Sequence, residues 1–255
     1  MRKKVLVTGG SGLVGSSIKR LSRSYDYDFS FLNGRRDGFD LTKEGDVQKI
    51  FALYRPSYVI HCAAKVGGVK DNLEFQADFY YENLLINIHM IHYAVIHKVE
   101  KFFAFCSNCI FADGEILRES NIHKGEPFRG TRGYAYAKRM VDVQIDTCKD
   151  QHMVQNYCSL IPGNIFGEND FFNLESGHAI PSLIHKLYRA KKNREALTVW
   201  GDGSSVTYNW PYDMCSLIET AKITTKVGFR PDLEKELQEY NELLELQQSF
   251  SAAGG

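Results

Sequence analysis

At 255 residues the chain has material for one substantial core and a small second lobe. Its 31 basic and 31 acidic residues cancel, which argues against a nucleic-acid or membrane-surface binder. No stretch approaches the roughly 20 apolar residues of a membrane span, and Val5-Leu6-Val7 is too short an apolar segment for a secretory leader despite the basic residues before it. The six cysteines are scattered, mostly inside apolar runs, so a soluble cytoplasmic protein in a reducing compartment is expected.

In chain order, short β-rich runs alternate with helical stretches. Lys4–Thr8 is an apolar strand ending in glycines, and Ser11–Leu21 is a helix. Phe29–Leu32 is a second strand, Thr42–Tyr54 a second helix and Tyr58–Cys62 a third strand. Asp78–Lys98 is a long helix whose Leu84, Leu85, Ile88, Ile91 and Val95 recur at helical spacing. Phe102–Cys106 is a strand, Tyr134–Lys149 a helix and Val154–Ile161 another strand. This alternation predicts an α/β fold, a doubly wound parallel sheet of Rossmann type with helices on both faces.

Beyond Pro162 the pattern loosens. Asn169–Gly177 is loop-like, Ile180–Ala190 helical and Leu197–Trp200 a short strand. From Asp232 an amphipathic helix places Leu233, Leu237, Tyr240 and Leu244 on one face, and Ser249–Gly255 is a loose tail. We expect residues 1–165 to form a dinucleotide-binding domain. Residues 166–255 would form a shortened substrate lobe with the terminal helix and tail.

The turn after the first strand reads Thr8-Gly9-Gly10-Ser11-Gly12-Leu13-Val14-Gly15. Glycines at 9, 12 and 15 permit a tight turn, close approach of a pyrophosphate and close helix–strand packing. The second strand ends in Leu32-Asn33-Gly34-Arg35-Arg36-Asp37. No acid stands at its tip for ribose hydroxyls, and two arginines follow that suit the extra phosphate of NADP(H). Asp37 and Asp40 are expected near the adenine.

Ser107 and Cys109 close the fourth strand, and Tyr134 and Lys138 follow one helical turn apart. A free tyrosine has a pKa of about 10, and lowering it to about 7 takes roughly 4 kcal/mol. An ammonium about 4 Å away at an effective dielectric near 20 supplies that order of energy. Lys138 is expected to provide it, with Ser107 hydrogen-bonding a substrate carbonyl. A second pair, Tyr188/Lys192, has no such serine. Cys109 suits a base that takes a proton from carbon beside a ketone, with His178 as candidate acid; taken alone, a buried inert cysteine and a helix-starting surface histidine are the better readings. Cys106-x-x-Cys109 lacks a second ligand pair, and His89/His92 lack a third ligand, so no metal site is expected.

These residues resemble the extended short-chain dehydrogenase/reductases, and within them the branch that converts GDP-4-keto-6-deoxy-mannose to GDP-L-fucose. The matching segments are Val5–Gly15, Val59–Gly68, Ser107–Phe111, Gly133–Val143, Ile161–Gly167, His178–Lys186 and Leu197–Gly203. The resemblance implies C3 and C5 epimerisation with Cys109 as base and His178 as acid. Reduction at C4 would follow with Tyr134 as proton donor, supported by Lys138 and Ser107. It also implies that Gly9, Gly10, Ser11, Gly12, Leu13, Val14, Gly15, Arg36, Asp40, Leu41, Ala63, Ala64, Phe105, Lys138, Pro162, Asn164, Ile165 and His178 line an NADP(H) site. Lys186 and Trp200 would contact the GDP-sugar, and two copies would pair through the Asp78–Lys98 and Tyr134–Lys149 helices.

The sequence departs from that pattern beyond Gly203. Thr207 stands where the branch carries an arginine, Gly163 and Asn108 replace hydroxyl residues, and the lobe is short. Two other readings therefore stand beside the first: a non-catalytic cofactor-binding scaffold, and a reductase or epimerase of another nucleotide sugar.

Overall fold

A computed structural model describes residues 2–112, 117–163 and 165–194. Five strands form one wholly parallel sheet in the order β2-β1-β3-β4-β5. They are β1 (Lys4–Thr8), β2 (Asp28–Leu32), β3 (Tyr58–His61), β4 (Lys101–Phe105) and β5 (Tyr157–Leu160). The helices are α1 (Leu13–Leu21), α2 (Glu44–Tyr54), α3 (Val69–Glu74), α4 (Gln76–Ile96), α5 (Arg132–His152) and α6 (Ala179–Asn193). The chain divides into two compact units, Met1–Ser182 and Leu183–Gly255. No described helix is long and apolar enough to cross a membrane.

The doubly wound reading holds, and the order places the switch in winding between β1 and β3. Period-two alternation builds the core. Leu6, Val59, Phe102 and Tyr157 are register partners in one row across four strands. They pack with Val47, Ile50 and Phe51 of α2, Met90 and Ile91 of α4, and Val141 and Ile145 of α5. The next row carries Thr8 beside His61, both polar and both buried.

Boundaries differ from expectation where local geometry intervenes. Helix α1 begins at Leu13 rather than Ser11 because Gly12 is extended (ψ 176°) and spends its N–H on the Gly9 carbonyl. Helix α3 was not expected. Strand β5 is shorter because Met153, in the left-handed region at φ 58°, ends α5, and a turn follows it.

Candidate active site

The loop after β1 is shaped by what it cannot accommodate. Gly9 has φ +67°, and a Cβ there would lie 2.9 Å from the Ala63 backbone nitrogen, so the turns after β1 and β3 abut at the switch point. A Cβ on Gly15 would lie 2.1 Å from the Gly9 carbonyl oxygen, which explains how closely α1 approaches the turn. The first N–H groups of α1 have no intrahelical acceptor, and its first turn holds no acid. This is a cradle that only glycine permits, and it fits a dinucleotide pyrophosphate.

A buried network that the sequence reading missed supports the cradle. Thr8 Oγ1 lies 2.7 Å from His61 Nδ1, His61 Nε2 lies 3.3 Å from Asn87 Oδ1, and the Ala63 N–H donates to Thr8 Oγ1. Burial, aided by the charge of Lys138, pushes His61 down to about 3. The ring is a neutral strut between β1, β3 and α4. The only hint in the sequence is a polar pair at the ends of two apolar runs.

At the end of β2 the two arginines have different fates. Arg35 Nε donates to Asp40 at 3.0 Å, and its Nη2 lies 3.6 Å from Glu82. Arg36, next to it in the 3-10 turn Gly34–Asp37, is exposed and has no side-chain partner among the described residues. Burial raises Asp40, but hydrogen bonds from Thr42 and Arg35 outweigh it and hold the carboxyl below the usual range. Asp40 is thus committed to its own loop, and Leu41 is buried in the core. Ala63 and Ala64 lie in the turn after β3, partly accessible.

The chemical residues gather where β4 ends. Ser107 Oγ caps the 3-10 turn Asn108–Ile110 by accepting the Cys109 N–H at 3.4 Å. Lys138 of α5 donates to the Phe105 carbonyl at 2.7 Å, and the Cys106 thiol donates to the Lys138 carbonyl at 3.5 Å. Arg139 donates to the carbonyls of Ile110, Gly125 and Lys124 and ties down the loop beyond. Tyr134 sits one turn before Lys138, edge-on to Phe79 of α4, and the Lys138 ammonium is 5.8 Å from its ring centre.

Electrostatics couples this set. Burial pushes the Cys109 thiol up to about 11, against the Ser107 hydrogen bond and the charge of Lys138, which both lower it. Burial likewise pushes Tyr134 above the usual phenol range, with Cys109 and Cys106 adding to the effect, and pushes Lys138 below its usual value. The lowering of Tyr134 expected from Lys138 is therefore not seen. The ammonium is spent on the Phe105 carbonyl, and desolvation of the phenol dominates.

His178 stands apart from that set. Its supports are Gly68, whose N–H donates to the Ser176 carbonyl at 2.8 Å, and the Gly177 carbonyl against Gly68 Cα. Its neighbour Gly67 lies against Phe79, the ring that also meets Tyr134. His178 and Tyr134 are thus carried on structures that converge over the turn after β3. Its charged partner is Asp170, at 3.9 Å. Pro162 and Ile165 follow β5, and Ile165 is exposed. Lys186 lies on α6 within the second unit. Asn164, Trp200 and Thr207 lie outside the described residues, as do the strand expected at Leu197–Trp200, the helix from Asp232 and the tail.

Comparison with known proteins agrees with this architecture. The model of the NAD dependent epimerase/dehydratase family matches residues 5–215. The GDP-L-fucose synthase of Dictyostelium discoideum is 37% identical over 217 residues, 84% of this chain and 68% of that protein. The probable GDP-L-fucose synthase of Drosophila melanogaster is 38% identical over 212 residues, 79% of this chain and 65% of that protein. Among solved structures, a GDP-L-fucose synthetase from Naegleria fowleri bound to NADP superposes with a TM-score of 0.71 at 34% identity, covering 78% of this chain and 66% of that one. The chain spans about two thirds of the length of these relatives.

Proposed function

The chain belongs to the NAD dependent epimerase/dehydratase family, and on that premise we propose that it epimerises GDP-4-keto-6-deoxy-D-mannose at C3 and C5 and reduces C4, yielding GDP-L-fucose. The observation that carries the reading is the gathering of four residues at the end of β4: Ser107 Oγ accepts the Cys109 N–H, Lys138 is fixed on the Phe105 carbonyl, and its ammonium lies 5.8 Å from the Tyr134 ring centre. Ser107, Tyr134 and Lys138 alone suffice for carbonyl reduction. A thiol in contact with the same hydroxyl adds a base for carbon acids.

Cys109 in its thiolate form, favoured by the Ser107 hydrogen bond and the Lys138 charge, takes the proton from carbon beside the ketone and becomes the thiol, while the Ser107 and Tyr134 hydroxyls hold the oxygen on which charge develops. His178 returns a proton at that carbon, inverting it. Tyr134 then protonates the C4 oxygen during reduction. NADPH, when bound, supplies the hydride. Its pyrophosphate belongs in the glycine cradle, and Arg36 meets the 2′-phosphate, because Arg35 is already neutralised by acids. Lys186 and Trp200 are assigned to the GDP-sugar, and residues 166–255 to the lobe that receives it. Tyr81 and Ile88 on α4 and Val143 on α5 are exposed apolar side chains, which favours pairing of two copies through these helices. The cysteines among the described residues are free, which favours a reducing, cytoplasmic setting.

The test is turnover of the GDP-keto sugar with NADPH in deuterated water. We expect nicotinamide oxidation with deuterium at both C3 and C5. Cys109→Ser should abolish deuterium incorporation while leaving NADPH binding intact. Binding without turnover would reject the reading in favour of a cofactor-binding scaffold, and reduction without deuterium would point to another nucleotide sugar.

A further inference from the structure

We propose that Asp170 positions His178 for proton transfer, engaging the imidazole through Nδ1 and leaving Nε2 to carry the exchanged proton. This rests on the role assigned to His178 above.

Three observations support the pair. First, the Asp170 side chain is only 6% exposed, yet its Oδ2 has no hydrogen-bond partner among the described residues, while Oδ1 accepts the Phe171 N–H at 2.7 Å. A carboxylate buried with an unsatisfied oxygen is costly unless a cation or donor is meant to meet it. Second, the Oδ1 atom lies 3.9 Å from His178 Nδ1, within ion-pair reach and beyond a direct hydrogen bond. Catalytic contacts of this kind are often long before substrate arrives. Third, Glu175, the acid three residues before His178 in the chain, is engaged by Lys70 at 3.0 Å, and among the described residues Asp170 is the acid within ion-pair reach of the imidazole.

The loop is built to bring these two residues together. Asn169 adopts the left-handed region at φ 64°, and the Asp170 N–H donates to the Gly167 carbonyl. Asn173 Oδ1 accepts the N–H groups of Glu175 and Ser176, and the Gly177 N–H donates to the Asn173 carbonyl. The segment thereby doubles back within eight residues.

The pairing also fixes the ring. His178 is the residue from which α6 starts, its carbonyl accepting the Ser182 N–H. A carboxylate beside Nδ1 favours the tautomer with its hydrogen on Nδ1, the service an orienting acid performs for a catalytic histidine.

The test combines long-range proton–nitrogen NMR of His178 in the full-length protein with deuterium exchange kinetics. Asp170→Asn keeps an acceptor for the Phe171 N–H and removes the charge, whereas Asp170→Leu removes the acceptor as well. We expect wild-type His178 to be the Nδ1–H tautomer in its neutral form and Asp170→Leu to convert it to Nε2–H. In Asp170→Asn, kcat for deuterium incorporation should fall by about 10- to 100-fold with little change in KM, part of the 10²–10⁴ that a positioned general acid supplies. An unchanged tautomer in Asp170→Leu together with unchanged exchange in Asp170→Asn would overturn the proposal. If wild-type protein incorporates no deuterium, the proposed reaction fails, but the tautomer measurement needs no substrate and still decides the pair.

Discussion

Lys138 places its ammonium 2.7 Å from the Phe105 carbonyl, at the last residue of β4, and not on the hydroxyl of Tyr134 four residues earlier. One side chain thus locks α5 to the strand end from which Ser107 and Cys109 project. Its charge also partly offsets the rise that burial imposes on the Cys106 and Cys109 thiols. Lys138 therefore works first as a latch and a field source.

Lys138→Met tests that role, because it keeps the stem and removes the charge. We expect Cys109 to become less reactive, with its alkylation profile by iodoacetamide moving to higher pH. Turnover should fall by roughly 10²–10⁴. An unchanged alkylation profile would show that the thiol does not sense this ammonium.

Arg36 and Arg35 are neighbours in sequence with different expected effects. Arg36→Ala should weaken NADPH binding by roughly 10- to 100-fold, the range for a charge-assisted contact, and leave NADH binding unchanged. Arg35→Ala should leave the preference for NADPH largely intact, since its charge is met by Asp40 and Glu82. Fluorescence titration with both cofactors distinguishes them, and equal losses in the two variants would contradict the assignment.

His61 imposes a pH dependence on stability. Its pKa is about 3 in the fold against an ordinary value of 6.5, so the unfolded chain binds a proton that the native one refuses. The stabilisation is full above pH 6.5 and is lost as the pH falls toward 3, at up to about 1.4 kcal/mol per pH unit. Unfolding free energies from urea titrations at pH 7 and pH 5 should differ by about 2 kcal/mol from this residue alone. His61→Gln, though less stable at pH 7, should show a shallower decline.

Gly133 precedes Tyr134 and is where α5 meets α4. A Cβ there would lie 2.1 Å from the Gln76 carbonyl oxygen, and backbone cannot swing away as a side chain can. Gly133→Ala should cost about 1–3 kcal/mol, as overpacking does. It should also reduce turnover by displacing the start of the helix that carries Tyr134. Thermal melting and kcat measure the two effects. A stable, fully active variant would mean that the helices separate easily.

Local pattern makes much of this fold legible in the amino-acid sequence. Alternating apolar runs mark the strands, and the Tyr134–Lys138 spacing marks one turn of a helix, because both depend on residues a few positions apart. Gly9 and Gly15 announce a tight turn before any partner is known. Helix α3 escaped notice because its six residues follow Gly67-Gly68 and carry no apolar stripe of their own.

Other features depend on which residues the chain brings together from afar. Arg35 and Arg36 look alike in sequence, and only Glu82 on α4 and the folded position of Asp40 separate the occupied cation from the free one. Lys138 seems placed to act on Tyr134 until the Phe105 carbonyl, 33 residues away, takes its charge. The sequence by itself determined the order of elements, the glycine turn and the candidate reactive groups. The tertiary structure alone decided their partners and their protonation, because desolvation and charge pairing are properties of the environment in which a side chain is buried.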